Sequence, residues 1–166
     1  MWGLSDDIKK RASVYASRRN LVNEDQLGYG ADGTIYSTNA ASAVKVYFRT
    51  EPYKRELACY LRLREAQVLE VCGHHVPQLI HWDDDLLIVE MTIVRRPFVL
   101  DFASAYLDNP PDFSDEVIEE WYTEKAEHFG ARWPEVLFVM ETLRDRYGIH
   151  LMDVNPRNIT FVEART

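Results

Sequence analysis

Three separated groups of residues in this 166-residue chain have the types and spacing for chemistry on a phosphate. The first lies in the run 27–45, L-G-Y-G-A-D-G-T-I-Y-S-T-N-A-A-S-A-V-K, where Gly28, Gly30 and Gly33 cluster. Glycines allow the backbone itself to approach a partner, and a phosphate is the natural partner of exposed N–H groups. A dinucleotide site would need a helix directly after the third glycine, but T-I-Y-S-T follows Gly33 and favours a strand. Strands on both sides suit a flap over nucleotide phosphates; the simpler alternative is an ordinary hairpin.

The second group is Lys45 and Glu56. A lysine inside the apolar strand A-V-K-V-Y is costly to bury unless it meets an anion, and an outward-facing lysine on a half-exposed strand is the alternative. Glu56, between Arg55 and Leu57, can supply that anion and hold the lysine extended; alone it would read as a solvated helix acid. The third group is I-H-L-M-D-V-N-P-R-N-I-T-F-V, in which Asp153 and Asn158 flank a proline-containing loop. A carboxylate there can take a hydroxyl proton, and an amide oxygen can bind a hard cation such as magnesium. As isolated loop residues both would be turn-formers, and His150 reads as a structural hydrogen-bonder.

The elements that must position these groups follow from periodicity and punctuation. Residues 5–19 begin with a capping serine and early acids and end in arginines, which predicts a surface helix packing Ile8, Val14 and Tyr15. Strands are expected over 23–27, 34–37 and 43–48, and a helix over 51–66 with Pro52 in its first turn. The segments 77–82 and 86–91 read as two more strands joined by Asp83, Asp84 and Asp85. Residues 94–102 are ambiguous, and Asn109-Pro110-Pro111-Asp112 is a firm break. Ser114 caps a helix to Phe129 with Gly130 as its stop, and Pro134 opens another that ends at Gly148. That last helix is apolar on most faces and is expected at the centre of the second half. The change from strands to helices near Met91 is the one candidate boundary.

Composition limits the classes of function. A chain this long with 46% hydrophobic residues buries one core, so a single domain, 1–166, is expected. With 27 acidic against 19 basic residues and a net charge of -8, it is a poor polyanion binder, which argues against nucleic acid and anionic membrane. Cys59 and Cys72 have no C-x-x-C spacing or paired histidines, which argues for reduced thiols, a cytoplasmic location and no zinc site. No run is long and apolar enough to span a membrane.

Taken together and in this order, the glycine run, the A-V-K at Lys45, the helix acid Glu56 and D-x-x-P-x-N at 153–158 resemble the protein-kinase-like superfamily, which includes the aminoglycoside and choline type small-molecule kinases. The resemblance spans about 27–162. It implies an α+β, minimal kinase-like fold: an antiparallel five-stranded small lobe with one helix, which takes 1–91 together with the N-terminal helix, and a shortened helical lobe over 92–166 that carries the catalytic-type loop. It also implies ATP and magnesium as cofactors and a protein or small-molecule hydroxyl as acceptor. Lys45 would bind the α and β phosphates beneath Gly28, Gly30 and Gly33, and Glu56 would orient it. Asp153 would be the catalytic base, Asn158 would hold magnesium, and the backbone of Glu90 and Met91 would face the adenine. The family places a further metal-binding aspartate, in D-F-G, roughly a dozen residues after that asparagine. Here the sequence ends eight residues after Asn158, with Glu163 the one acid beyond it. The expectation is therefore divided between a minimal phosphotransferase and an inactive, pseudokinase-like binding module. Self-association through the apolar run Val136-Leu137-Phe138-Val139-Met140 is a further expectation.

Overall fold

Alternating apolar residues across the first half of the chain close into one five-stranded antiparallel sheet in the computed structural model, which describes residues 2–162. Its strands are β1 (Asn23–Tyr29), β2 (Gly33–Thr38), β3 (Ser42–Tyr47), β6 (Leu79–Asp83) and β7 (Ile88–Thr92), in the spatial order β1-β2-β3-β7-β6. Two short strands, β4 (Glu70–Val71) and β5 (His74–His75), form a separate hairpin between β3 and β6 in the chain. β3 is the middle strand and is buried along its whole length. Its register sets Lys45 opposite Ile35 of β2 and Val89 of β7.

Because side chains alternate across a strand, β3 serves two cores. Val44 and Val46, with Ile88, pack against Ile8, Ala12 and Tyr15 of helix α1 (Trp2–Arg18). Ala43 and Tyr47 belong to the other core, with Tyr53, Leu57, Tyr60 and Leu63 of α2 (Thr50–Glu65). The sheet thus carries a helix on each face. Helix α1 starts three residues before the expected Ser5, and Val14 is only half-buried; it is held by Arg11, which donates to the carbonyls of Tyr47 and Leu86, and by an Arg18–Asp83 pair.

The ambiguous stretch 94–102 becomes an extended crossing segment. Val99 pairs antiparallel with Ile159, the Leu100 N–H donates to the Asn158 carbonyl at 2.7 Å, and the Thr160 N–H donates to the Phe98 carbonyl at 3.0 Å. The chain then forms β8 (Tyr106–Leu107), which pairs with β9 (Ile149–His150). Between them stand α3 (Asp115–Phe129), capped by the Ser114 hydroxyl accepting from the Val117 N–H, and α4 (Trp133–Tyr147). Gly148 ends α4 in the left-handed region at φ +65, where a Cβ would also collide with the Asp108 carboxylate. Helix α4 buries one stripe, Val136, Val139, Met140 and Leu143, and leaves Phe138 62% exposed, so it is less enclosed than its composition suggested. No helix among the described residues is long and apolar enough to cross a membrane.

Candidate functional site

The glycine turn is built around one obligatory position. A Cβ on Gly33 would lie 2.4 Å from the Val46 carbonyl oxygen, closer than any real side chain sits, so β2 can approach β3 there only as glycine. Gly30 has nothing within 4 Å of such an atom, and Gly28 meets only Ile35 at 3.7 Å. The Gly30 N–H donates to the Gly33 carbonyl at 3.0 Å and closes the turn. Asp32 at its tip is tied to the end of β3 by Arg49 at 2.9 Å and by the Phe48 N–H.

Lys45 faces the α2 side of the sheet and is 6% exposed. Its Nζ lies 2.6 Å from Oε2 of Glu56, which is 1% exposed. Glu56 does not rely on the lysine alone: the Tyr47 hydroxyl donates to Oε2 and the Tyr60 hydroxyl donates to Oε1 at 3.2 Å. The Lys45 ammonium also sits over the Tyr47 ring, 4.9 Å from its centre. Burial works against the lysine's charge, yet Glu56, then Asp101 and more distantly Asp32, hold its pKa above the ordinary value. The tyrosines are pushed well above theirs, first by burial and then by Glu56, so both stay protonated donors.

Asp101 was absent from the sequence reading. Its Oδ1 lies 3.7 Å from Lys45 Nζ, and its backbone adopts φ +66, a conformation costly for a residue with a side chain. It sits in V-L-D-F-A, residues 99–103, where Val99, Phe102 and Ala103 are buried and Phe102 meets Tyr60 edge-on at 5.5 Å. An aspartate inside so apolar a run was the available signal. The family pattern places such an acid after Asn158, whereas this one precedes the Asp153 loop in the chain and reaches the site through the Leu100–Asn158 and Val99–Ile159 pairings. Glu163 lies outside the described residues.

Asp153 is half-buried and faces Asp101. Burial first, and the neighbouring Asp101 charge second, raise the Asp153 pKa above the usual carboxylate value, against the Asn155 amide, which donates to Oδ1 at 3.0 Å. The Asn158 amide donates to the Asp153 carbonyl at 3.2 Å, which fixes the loop, and the Asn158 carbonyl accepts from the N–H of Leu100, the residue before Asp101. Lys45, Glu56, Asp101, Asp153 and Asn158 are thereby joined in one cluster. Glu90 is buried in β7, and its side chain is engaged on the opposite face: the Tyr15 hydroxyl at 2.8 Å, the Ser42 hydroxyl at 2.8 Å and Arg19 at 3.3 Å all donate to it. The Met91 sulfur lies 3.4 Å from the Tyr60 hydroxyl oxygen, and the residue pairs with Ala43 and Leu79. His150 pairs with Tyr106 across β8 and β9.

Among the described residues no three His, Cys, Asp or Glu side chains gather as a metal site by themselves. Two facing carboxylates beside an amide are nonetheless a hard-oxygen donor set whose mutual repulsion a divalent cation relieves, and magnesium commonly takes only one or two carboxylates from its protein.

No family model matches the chain, and no curated protein does. Among solved structures it is similar to the ternary complex of streptomycin, ATP and APH(2″)-IIa, at 15% identity over 70% of this chain, with a TM-score of 0.40. The match spans 38% of that chain, a likeness too slight to add to the geometry of the cluster.

Proposed function

We propose that this chain is an ATP-binding, kinase-like protein, a minimal phosphotransferase that passes the γ-phosphate of ATP to a hydroxyl on a small molecule or protein. The observation that carries the reading is the Lys45 ammonium held between buried Glu56 and Asp101, with Asp101 in turn against Asp153. A buried cation fixed by one acid and flanked by a second, with a third acid behind that one, is an expensive arrangement for a structural core, and it suits a polyphosphate arriving with a cation.

Lys45 would take oxygens of the α and β phosphates, and Glu56 with Tyr47 and Tyr60 would keep it extended. The turn at Gly28, Gly30 and Gly33 would cover the phosphates, and the β7 backbone at Glu90 and Met91 would border the adenine. Asp101 and Asn158 would hold magnesium, which when bound neutralises charge building on the phosphates. Asp101 would thus stand for the acid expected after Asn158. Asp153 would accept the acceptor's hydroxyl proton, and its raised pKa makes it a stronger base than an ordinary aspartate.

A second reading, a binding module without turnover, is favoured by one feature: Asp32 on the glycine turn adds negative charge near Lys45, where a nucleotide would need the opposite. Phosphate release or transfer from ATP with magnesium, compared between the wild type and Asp153→Ala, separates the two. A loss of 100-fold or more in the variant supports the enzyme. Equal rates leave the binding module, and the absence of any thermal shift with ATP and magnesium removes the enzyme and leaves a module that binds a partner other than nucleotide.

A further inference from the structure

Away from the Lys45 cluster, α3 and α4 stand apart and enclose a cavity of about 500 Å³. Only Phe129 of the fifteen residues of α3 is buried, although the helix carries Val117, Ile118, Trp121 and Tyr122 toward this space. The α4 wall supplies Leu137 and Met140, and Leu151 and Met152 close one side. A helix that turns its apolar stripe toward a void is missing contact that a ligand of matching shape would provide.

We propose that this cavity binds an uncharged, ring-bearing small molecule with a single hydroxyl-type polar group. Its volume falls within the range of small-molecule sites. Aromatic edges from Trp121, Tyr122 and Phe113 favour a flat or compact ring system. The charged or titratable groups at the lining besides the Tyr122 hydroxyl are Glu141, Arg144 and His150. Arg144 is already paired with Asp145 at 2.7 Å, and a carboxylate beside a guanidinium opposes an ion of either sign. A neutral hydroxyl complements both, donating to Glu141 and accepting from Arg144 or His150. The proposal does not rest on the phosphotransferase reading. It does place a ligand against His150, Leu151 and Met152, the residues that lead directly into Asp153.

The probe is 2-naphthol, neutral at pH 7. Its titration into the full chain is followed by tryptophan emission and by amide NMR shifts. The expected result is saturable one-to-one binding in the micromolar range, with shifts centred on residues 117–122, 137–144 and 150–153. Val117→Trp and Leu137→Trp are designed to fill the space from opposite walls. Each is expected to weaken binding at least 10-fold while circular dichroism and cooperative melting stay native, and Asp153→Asn is expected to bind as well as wild type. Failure to saturate, shifts centred elsewhere, or unchanged affinity in whichever filling variant remains folded would overturn the proposal. So would a concentration-dependent dimer that excludes the probe, which would give this face to a second copy of the chain.

Discussion

Asp101 Oδ1 lies 3.7 Å from Lys45 Nζ, and the aspartate arrives from the segment before α3 instead of from beyond Asn158. If Asp101 serves the cation, Asp101→Asn removes one ligand charge while keeping the side chain's size. Magnesium-dependent nucleotide affinity is expected to fall at least 10-fold. The affinity measured in EDTA is expected to stay within about 3-fold, because Lys45 and Glu56 are untouched. Isothermal titration with and without magnesium reads the difference, and an equal loss under both conditions would assign Asp101 to Lys45 alone.

The Asp101–Asp153 contact also sets a pH dependence. Asp153 has its pKa raised in the folded state, so the fold binds this proton more tightly than the unfolded chain does. Its stabilising contribution is fully present below the ordinary carboxylate value of about 4 and is lost as pH rises through the raised value. Asp153→Asn, which keeps an acceptor for the Asn155 amide, is expected to melt at a higher temperature than wild type at pH 7, with the gap closing toward pH 4. Added magnesium is expected to raise the melting temperature of both proteins, because Asp101 and Asn158 remain in the variant, and to raise it more in the wild type, where it also relieves the Asp101–Asp153 repulsion. Melting curves across pH 4 to 8 check both statements.

Much of this was legible in the sequence, for local reasons. The main strands, α2 and α4 follow from short-range pattern, and Ser114, Gly130, Pro134 and Gly148 punctuate the second half where they should. Lys45 and Glu56 were legible because a lysine in an apolar strand demands a partner, and α2 follows that strand closely. Asp101 was not, because its position depends on a pairing between residues near 99 and 159 that no local pattern announces. Nor was the second helix on the sheet foreseeable in detail: its anchor is the Tyr15 hydroxyl bonded to Glu90, where a buried acid on one strand meets a tyrosine from a distant helix.

The tyrosine pair around Glu56 separates packing from charge. Tyr47→Phe keeps the ring that Lys45 stacks on and deletes the hydroxyl that donates to Glu56, so a loss of about 1.5–3 kcal/mol is expected, the range for a hydrogen bond to a charged group. Lys45→Met leaves Glu56 buried with only tyrosine donors and is expected to cost more, about 3–5 kcal/mol. Urea unfolding orders the two variants. A Lys45→Met protein as stable as wild type would mean that the Lys45–Glu56 pair contributes nothing net to the fold.

The glycine turn offers a test in which stability and binding part company. At Gly33 an added methyl group meets the Val46 carbonyl at 2.4 Å, and β3 cannot retreat because it is held by β7 on its other side. Gly33→Ala is therefore expected to destabilise the fold by at least about 2 kcal/mol, the cost of overpacking at a closed site. At Gly30 the same methyl group finds open space, so Gly30→Ala is expected to change stability by less than about 1 kcal/mol. If a phosphate lies under the turn, that open space is where it approaches the backbone. Gly30→Ala should then weaken ATP binding several-fold at unchanged melting temperature. Measured together, calorimetric affinity and urea midpoints distinguish a turn that only joins two strands, for which Gly30→Ala is silent in both, from one that covers a ligand.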